Sequence, residues 1–259
     1  MSLPQKIGFI GTGTITDAMV RGLLAEPAAV PQVMVSLRGR EISAKLTAEF
    51  PAVLASGDNQ AIVDGCDTVV LAIRPQIAEE VISLLRFRDG QKVISVVAAT
   101  DRLTLLDWIG ADVRLTQAIP LPFVARRKGV TAVFPPDPDT AAIFAVLGHA
   151  VECETKAEYD LLAAASALMA TYFGIMHRTT EWLAENGLPE EKGRAYLAPL
   201  FAGLSETALA AGDVEFIEIS REYATRGGLN EQVFRDFEEQ GGASALTYAL
   251  DRVHKRIVR

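Results

Sequence analysis

Apolar residues recur along this chain in two different rhythms. Over positions 1–154, short runs rich in Val, Ile, Leu and Phe alternate with segments whose apolar residues return every three or four positions. The runs have the length of buried strands, and the segments have helical spacing. The pattern predicts strands over 6–10, 32–36, 67–73, 92–97, 113–117, 129–134 and 149–153. Helices are expected over 14–25, 40–49, 59–64, 76–86, 103–109 and 139–147. Apolar strands separated by helices make a mostly parallel sheet covered on both faces. From Lys156 onward the strand rhythm stops, and helices are expected over 156–185, 189–211, 214–223, 229–239 and 241–257. Turns fall at Asn186-Gly187, Gly212-Asp213 and Gly227-Gly228. The expected domains are 1–154, an α/β sheet domain, and 155–259, all helical.

The first strand and helix carry a chemical motif. Ile7 to Ile10 is followed by Gly11-Thr12-Gly13 and then by a helix beginning at Thr14-Ile15. Gly11 permits a tight turn, and Gly13 leaves room for phosphates to approach the first N–H groups of the helix. Thr16 stands where the fingerprint has its third small residue. A glycine pair alone would fit any strand-to-helix turn, but this one lies between a strand and a helix and precedes a second strand at the right distance. The first domain is therefore expected to be a Rossmann-like, doubly wound dinucleotide fold. NAD-binding domains end the second strand in Asp or Glu, which holds the ribose hydroxyls. Here the end reads Val35-Ser36-Leu37-Arg38-Gly39-Arg40. Ser36, Arg38 and Arg40 suit a 2′-phosphate, so NADPH is favoured over NADH. The competing reading of the arginines is a solvated helix start.

Composition narrows the partners. The chain has 259 residues, enough for a real core, and 25 basic against 33 acidic side chains give a net charge of −8. That balance argues against nucleic acid or an anionic membrane as the main partner. Cys66 and Cys153 suggest free thiols in a reducing cytoplasm rather than a disulfide framework. No basic-then-apolar signal peptide opens the chain. The most apolar stretch, Leu161 to Met176, contains Ser166 and Thr171 and is short for a bilayer span, so it reads as a helix buried on most of its surface. An apolar circumference that wide needs a partner subunit to cover it, which makes a homodimer or larger homo-oligomer the expected state. His149, His177 and His254 have no metal-ligand spacing, and no metal is expected.

These motifs, with others along the chain, resemble the pyrroline-5-carboxylate reductase family. Ile7-Gly8-Phe9-Ile10-Gly11-Thr12-Gly13 and Ala18 follow that family's opening, Ser36 and Arg38 its second strand, and Asn59 its nucleotide-side asparagine. Ala72-Ile73-Arg74-Pro75-Gln76 is similar to its Val-Lys-Pro-Gln segment, with Arg74 for Lys. Gly187-Leu188 and Gly227-Gly228 fall where its helical domain has Gly-Leu and Pro-Gly-Gly. The resemblance runs nearly end to end. It implies NADPH-dependent reduction of a cyclic imine, a place in proline metabolism, and a helical domain that assembles the dimer. It marks Gly11, Gly13, Thr14, Ile15, Ser36, Arg38, Asn59, Ala72, Arg74 and Pro75 as cofactor positions.

The substrate side departs from the family. Gln117 falls at an arginine, Pro120-Leu121-Pro122-Phe123 over Pro-Asn-Thr-Pro, and Leu200 at a helical threonine. Ser166-Ala167-Leu168-Met169-Ala170-Thr171-Tyr172 keeps little beyond Ser and Tyr of its Ser-Gly-Ser-Gly-Pro-Ala-Tyr motif, and Thr225-Arg226-Gly227-Gly228-Leu229-Asn230 replaces Ser-Pro-Gly-Gly-Thr-Thr. Each lost donor in a buried polar site costs about 1–3 kcal/mol, which points away from pyrroline-5-carboxylate itself. Arg226 remains as a carboxylate clamp, assisted by N–H groups of Gly227 and Gly228, or else as a surface arginine. Gln117 and Asn230 are further candidates for substrate contact, with Asn230 alternatively the cap of the next helix. Tyr172 and Ser166 are the candidate catalytic hydroxyls, each with a purely structural alternative. Three functions stay open: a C=N reductase for a more apolar substrate, a C=O oxidoreductase, and a silent nucleotide-binding homologue.

Overall fold

A computed structural model describes residues 3–25 and 28–258. The chain divides into two units, Met1–Ala163 and Ala164–Arg259. The first begins β1 (Lys6–Ile10), α1 (Thr14–Leu24), β2 (Gln32–Ser36), α2 (Arg40–Glu49), β3 (Val53–Ser56), α3 (Asn59–Gly65), β4 (Thr68–Leu71) and α4 (Pro75–Ile82). It continues through β5 (Lys92–Ser95), α5 (Arg102–Ile109), β6 (Arg114–Pro120), a 3-10 helix (Pro122–Arg126), β7 (Gly129–Phe134), α6 (Pro138–Val146) and β8 (Gly148–Glu152). α7 (Lys156–Ala165) leads to the second unit, which contains α8 (Leu168–Glu185), α9 (Glu190–Ala210), α10 (Phe216–Tyr223), α11 (Leu229–Glu239) and α12 (Gly242–Ile257).

The strands form one sheet in the order β3-β2-β1-β4-β5-β6-β7-β8. β3 to β6 all pair in parallel, while β7 runs antiparallel to β6 and β8 is parallel to β7. Alternate side chains feed two cores. Phe9, Val35, Val70 and Ile94 pack with α1 residues Met19 and Leu23 on one face. Leu71, Val93 and Leu115 pack with Ile82 and Leu105 on the other. A sheet sandwiched this way buries both sides of its strands, hence the near-continuous apolar runs.

Three expected features differ. β3 was not expected, because its four residues give no period to read and Leu54 is exposed on this edge strand. The 3-10 helix begins at Pro122, whose fixed φ starts it. Gly22 accommodates it, since a Cβ there would stand 2.2 Å from the Val124 carbonyl. Arg127 then donates to the Gly22 and Ala25 carbonyls at 2.8 Å each, closing the carboxyl end of α1. The single helix expected over 156–185 is broken at Ser166-Ala167, where the Ala167 N–H bonds back to Ala164 in a tight turn.

The expected burial of Leu161 to Met176 is not met within one chain. α8 has no buried residue, and Leu161, Phe173 and Ile175 are all exposed. Among the described residues, the stretch Lys156–Glu185 is long and apolar enough by composition to cross a membrane.

At the amino ends of the parallel strands a buried ion network ties α6 to the sheet. The Lys92 ammonium, on a residue 8% exposed, lies 2.7 Å from Asp137 and 2.9 Å from Asp139. Arg114 adds a contact to Asp137 at 2.8 Å, and Asp137 caps α6 by accepting the Thr140 N–H. Burial alone would raise the Asp137 carboxyl, but Lys92 and the Thr140 N–H outweigh it and hold it well below the usual carboxylate range. A carboxylate lowered on folding adds stability above its unfolded pKa of about 3.9 and loses it as the pH falls. Urea unfolding of Asp137→Asn should therefore show lower stability than wild type at neutral pH, and a gap that narrows below about pH 4. Parallel profiles for the two proteins would contradict this role.

Candidate functional site

The reversal of strand order lies between β1 and β4, and in such sheets ligands occupy the crevice at the carboxyl ends of the strands. The β1–α1 turn lies at that edge. Gly11 has φ +98°, and a Cβ there would approach the Ala72 carbonyl to 2.3 Å, so both conformation and space require glycine. Gly13 is different. Its φ is an ordinary −106°, and a Cβ there would meet no protein atom within 4 Å. Gly13 begins α1 without any side-chain cap, so the first-turn N–H groups of Thr14, Ile15 and Thr16 remain directed outward. The Thr16 hydroxyl, fully buried, donates to the Gly11 carbonyl at 2.7 Å and fixes the turn to its helix.

The end of β2 braces this turn. Ser36 is 1% exposed, and its hydroxyl accepts the Gly11 N–H at 2.9 Å. Thr12 donates its hydroxyl to the Ser36 carbonyl at 2.6 Å and its N–H to the Arg38 carbonyl at 3.2 Å. Gly39 makes this stitching possible: at φ +105°, its absent Cβ would fall 2.1 Å from the Thr12 carbonyl. Ser36 therefore anchors the glycine turn from the interior, correcting its expected place on the phosphate surface. Gly39 was missed as a site residue, although its position between two arginines just after β2 was the available signal. The Arg38 and Arg40 guanidiniums are exposed and make no hydrogen bond or ion pair among the described residues. Asn59 opens α3 and is half-buried, with Asp58 as the cap. Ala72 donates its N–H to the Ile10 carbonyl, and Arg74, exposed, precedes Pro75 at the start of α4.

Gln117 lies deep in β6, its Nε2 donating to the Thr100 carbonyl at 2.8 Å. A cavity of about 580 Å³ opens at the other edge, beside Thr68, Lys92 and Arg114 at the amino ends of β4, β5 and β6, away from the glycine turn.

In the helical unit, Tyr172 is 37% exposed and meets Phe173 and Phe201 edge-on, with ring centroids at 5.2 and 5.5 Å. Ser166 lies in the turn between α7 and α8, not inside a helix as expected. Arg226 is exposed. The neighbouring N–H groups are already engaged: Gly227 donates to the Glu231 carboxylate at 2.6 Å and Gly228 to the Thr225 carbonyl at 2.8 Å. The expected assistance of these N–H groups to a substrate carboxylate is thereby corrected. Asn230 is not the cap of α11, a place taken by Gly228; its amide donates to the Tyr223 carbonyl instead.

Comparison with known proteins matches residues 6–99 to a family model described as NADP oxidoreductase coenzyme F420-dependent. Residues 158–259 match the model for pyrroline-5-carboxylate reductase dimerisation. The pyrroline-5-carboxylate reductase of Pseudomonas aeruginosa is 25% identical over 266 aligned positions, covering 99% of this chain and 96% of the relative. The chain is similar to pyrroline-5-carboxylate reductases along nearly its whole length, and its residues 158–259 carry that family's dimerisation domain. Its fold is shared with the Plasmodium falciparum pyrroline carboxylate reductase solved with NADP bound, at a TM-score of 0.82, 16% identity, and coverage of 99% and 98% of the two chains. A reductive aminase from Aspergillus terreus, solved with NADPH4, cyclohexanone and allyl amine, has a TM-score of 0.62 at 14% identity, over 98% and 90% of the chains.

For this pyrroline-5-carboxylate reductase homologue, the open space at Gly13 and the uncapped start of α1 fit the diphosphate of NADP(H), and the free Arg38 and Arg40 fit its 2′-phosphate. The two glycines should then respond differently to substitution. Gly13→Ala should cost the fold no more than about 1 kcal/mol yet weaken NADPH binding about tenfold or more. Gly11→Ala should lower both melting temperature and binding. Unchanged NADPH affinity in Gly13→Ala, measured by titration of protein fluorescence, would contradict a diphosphate at this turn.

Proposed function

We propose that this protein is an NADP(H)-dependent reductase of a carbon–nitrogen double bond whose preferred substrate is a cyclic imine without a ring carboxylate, working as a cytoplasmic homodimer. NADPH, when bound, supplies the hydride that reduces the imine carbon. The rest of the chemistry asks little of acid–base groups, since a protonated imine is already electrophilic and chiefly needs alignment in a dry, apolar setting. The Tyr172–Phe173–Phe201 cluster offers ring faces that favour such a cation. The half-exposed Tyr172 hydroxyl is the candidate for holding the nitrogen's proton, and Ser166 at the α7–α8 turn is a second hydroxyl on the same stretch.

The observation that carries the substrate preference is the Gly227–Glu231 contact. The loop that would clasp an anionic substrate already holds a carboxylate of its own chain. A substrate carboxylate placed there would meet like charge, leaving Arg226 as a lone cation at an exposed position. This favours neutral imines over amino-acid imines, with a C=O substrate as the second reading where an amine is absent. Three further points support the assembly and its setting. Phe173, Ile175 and Leu229 are exposed apolar side chains of the kind a second copy would cover, and they fall within the match to the dimerisation model. A membrane is a poorer solvent for α8, which carries His177, Arg178, Glu181 and Glu185. Cys66 and Cys153 are both free and buried, as suits a reducing compartment.

NADPH consumption should be followed with 1-pyrroline, pyrroline-5-carboxylate and matched 2-oxo acids. The neutral imine should show a kcat/KM about tenfold or more above the carboxylated one, the size of one lost charge-assisted hydrogen bond. Preference for pyrroline-5-carboxylate would overturn the substrate assignment, and no turnover of any member would leave a silent homologue.

A further inference from the structure

Among the described residues, three buried side-chain oxygens of the sheet unit accept and donate no hydrogen bond, those of Gln117, Thr131 and Thr140, and of these the Gln117 amide stands beside the end of β5. Gln117, 4% exposed, stands in register with Ser95 of β5 and, two residues beyond Leu115, faces the core built on α4 and α5. Its Nε2 donates to the Thr100 carbonyl, and this fixes the amide, because the flipped form would set two oxygens against each other. The other end, Oε1, is buried and accepts no hydrogen bond among the described residues. Thr100 belongs to the loop between β5 and α5, in which Ala99 holds φ +51°, a left-handed conformation that costs a residue with a Cβ. A strained loop packed on an unsatisfied acceptor marks a place arranged for a ligand rather than for the empty fold.

The position says which part of the ligand. The loop lies at the carboxyl end of β5, on the β4-β5-β6 side of the switch point. Arg38, Arg40 and Asn59 lie on the opposite, β2-β3 side, where the adenosine 2′-phosphate belongs. A dinucleotide across the switch point therefore carries its nicotinamide toward β5 and β6, and the one part of that ring that donates N–H bonds is its carboxamide. We infer that Gln117 Oε1 accepts the carboxamide N–H of the nicotinamide ring, uncovered by a shift of the Val96–Asp101 loop. Gln117 thus acts on the cofactor, not on the substrate side to which its alignment with a family arginine assigned it. The inference rests on the NADP(H) reading above.

The test compares three ligands on the full chain by fluorescence titration: NADP, its 3-acetylpyridine analogue, in which a methyl ketone replaces the carboxamide, and 2′,5′-ADP, which lacks the ring. Wild type should bind NADP about tenfold tighter than the acetylpyridine analogue, as a lost buried hydrogen bond predicts. Gln117→Met should bring the two within about threefold of each other while leaving 2′,5′-ADP affinity unchanged. Equal loss for both dinucleotides in Gln117→Met would make the residue merely structural and overturn the inference. Should that variant not fold, wild-type binding alone decides, since equal affinity for NADP and the analogue also overturns it. Failure of wild type to bind 2′,5′-ADP would instead remove the NADP(H) reading, and this inference with it.

Discussion

The hydrogen bond from the Gly11 N–H to the Ser36 hydroxyl is the constraint on which the nucleotide side of this protein depends. A glycine at φ +98° has little intrinsic preference for the conformation it adopts, so something must hold it there. The Ser36 hydroxyl does so from β2, the Thr12 hydroxyl returns a bond to the Ser36 carbonyl, and Thr16 closes the turn onto α1. The consequence reaches outward. With the turn held from below, α1 starts without a cap at Gly13, and β2 can end in Arg38-Gly39-Arg40 beside it. Preorganised N–H groups and free guanidiniums then face the same edge of the sheet, as a phosphorylated dinucleotide requires.

Much of this was legible in the sequence, for physical reasons. Strands buried on both faces give apolar runs that announce themselves, so β1, β2, β4 and β5 could be read closely. β3 could not, because Val53-Leu54-Ala55-Ser56 is too short a run to show a period. The glycine turn and the arginines were visible as residue types. Their division of labour was not: Ser36 reads as a phosphate contact by position, and only burial shows that its hydroxyl is spent on the turn. The break at Ser166-Ala167 carries no Gly or Pro, so an apolar helical stretch conceals it. Along the same stretch, the apolar pattern tells which surface needs cover but not which molecule provides it.

The helical unit differs in kind. Its side chains are less buried, and its polar groups satisfy one another locally, as Gly227 does with Glu231 and Asn230 with Tyr223. A family resemblance transfers the backbone here more readily than the recognition, because the fold tolerates changes of side chain that a substrate would not. The turn after β1 leaves open space at Gly13, while Leu121, Leu200 and Leu229 stand where the resemblance places polar groups and the Gly227 N–H holds the Glu231 carboxylate. Reduction of a C=N bond survives such a change well, since a binding surface for the electrophile is needed more than a proton relay.

The most direct measurement of this account is calorimetric titration of Ser36→Ala with NADPH and with NADH. If the buried hydroxyl shapes the turn that both cofactors share, their affinities should fall by the same factor, about tenfold, and the preference for NADPH should survive through Arg38. A loss confined to NADPH would mean that Ser36 reads the 2′-phosphate after all, and would contradict the bracing of the glycine turn on which the account rests.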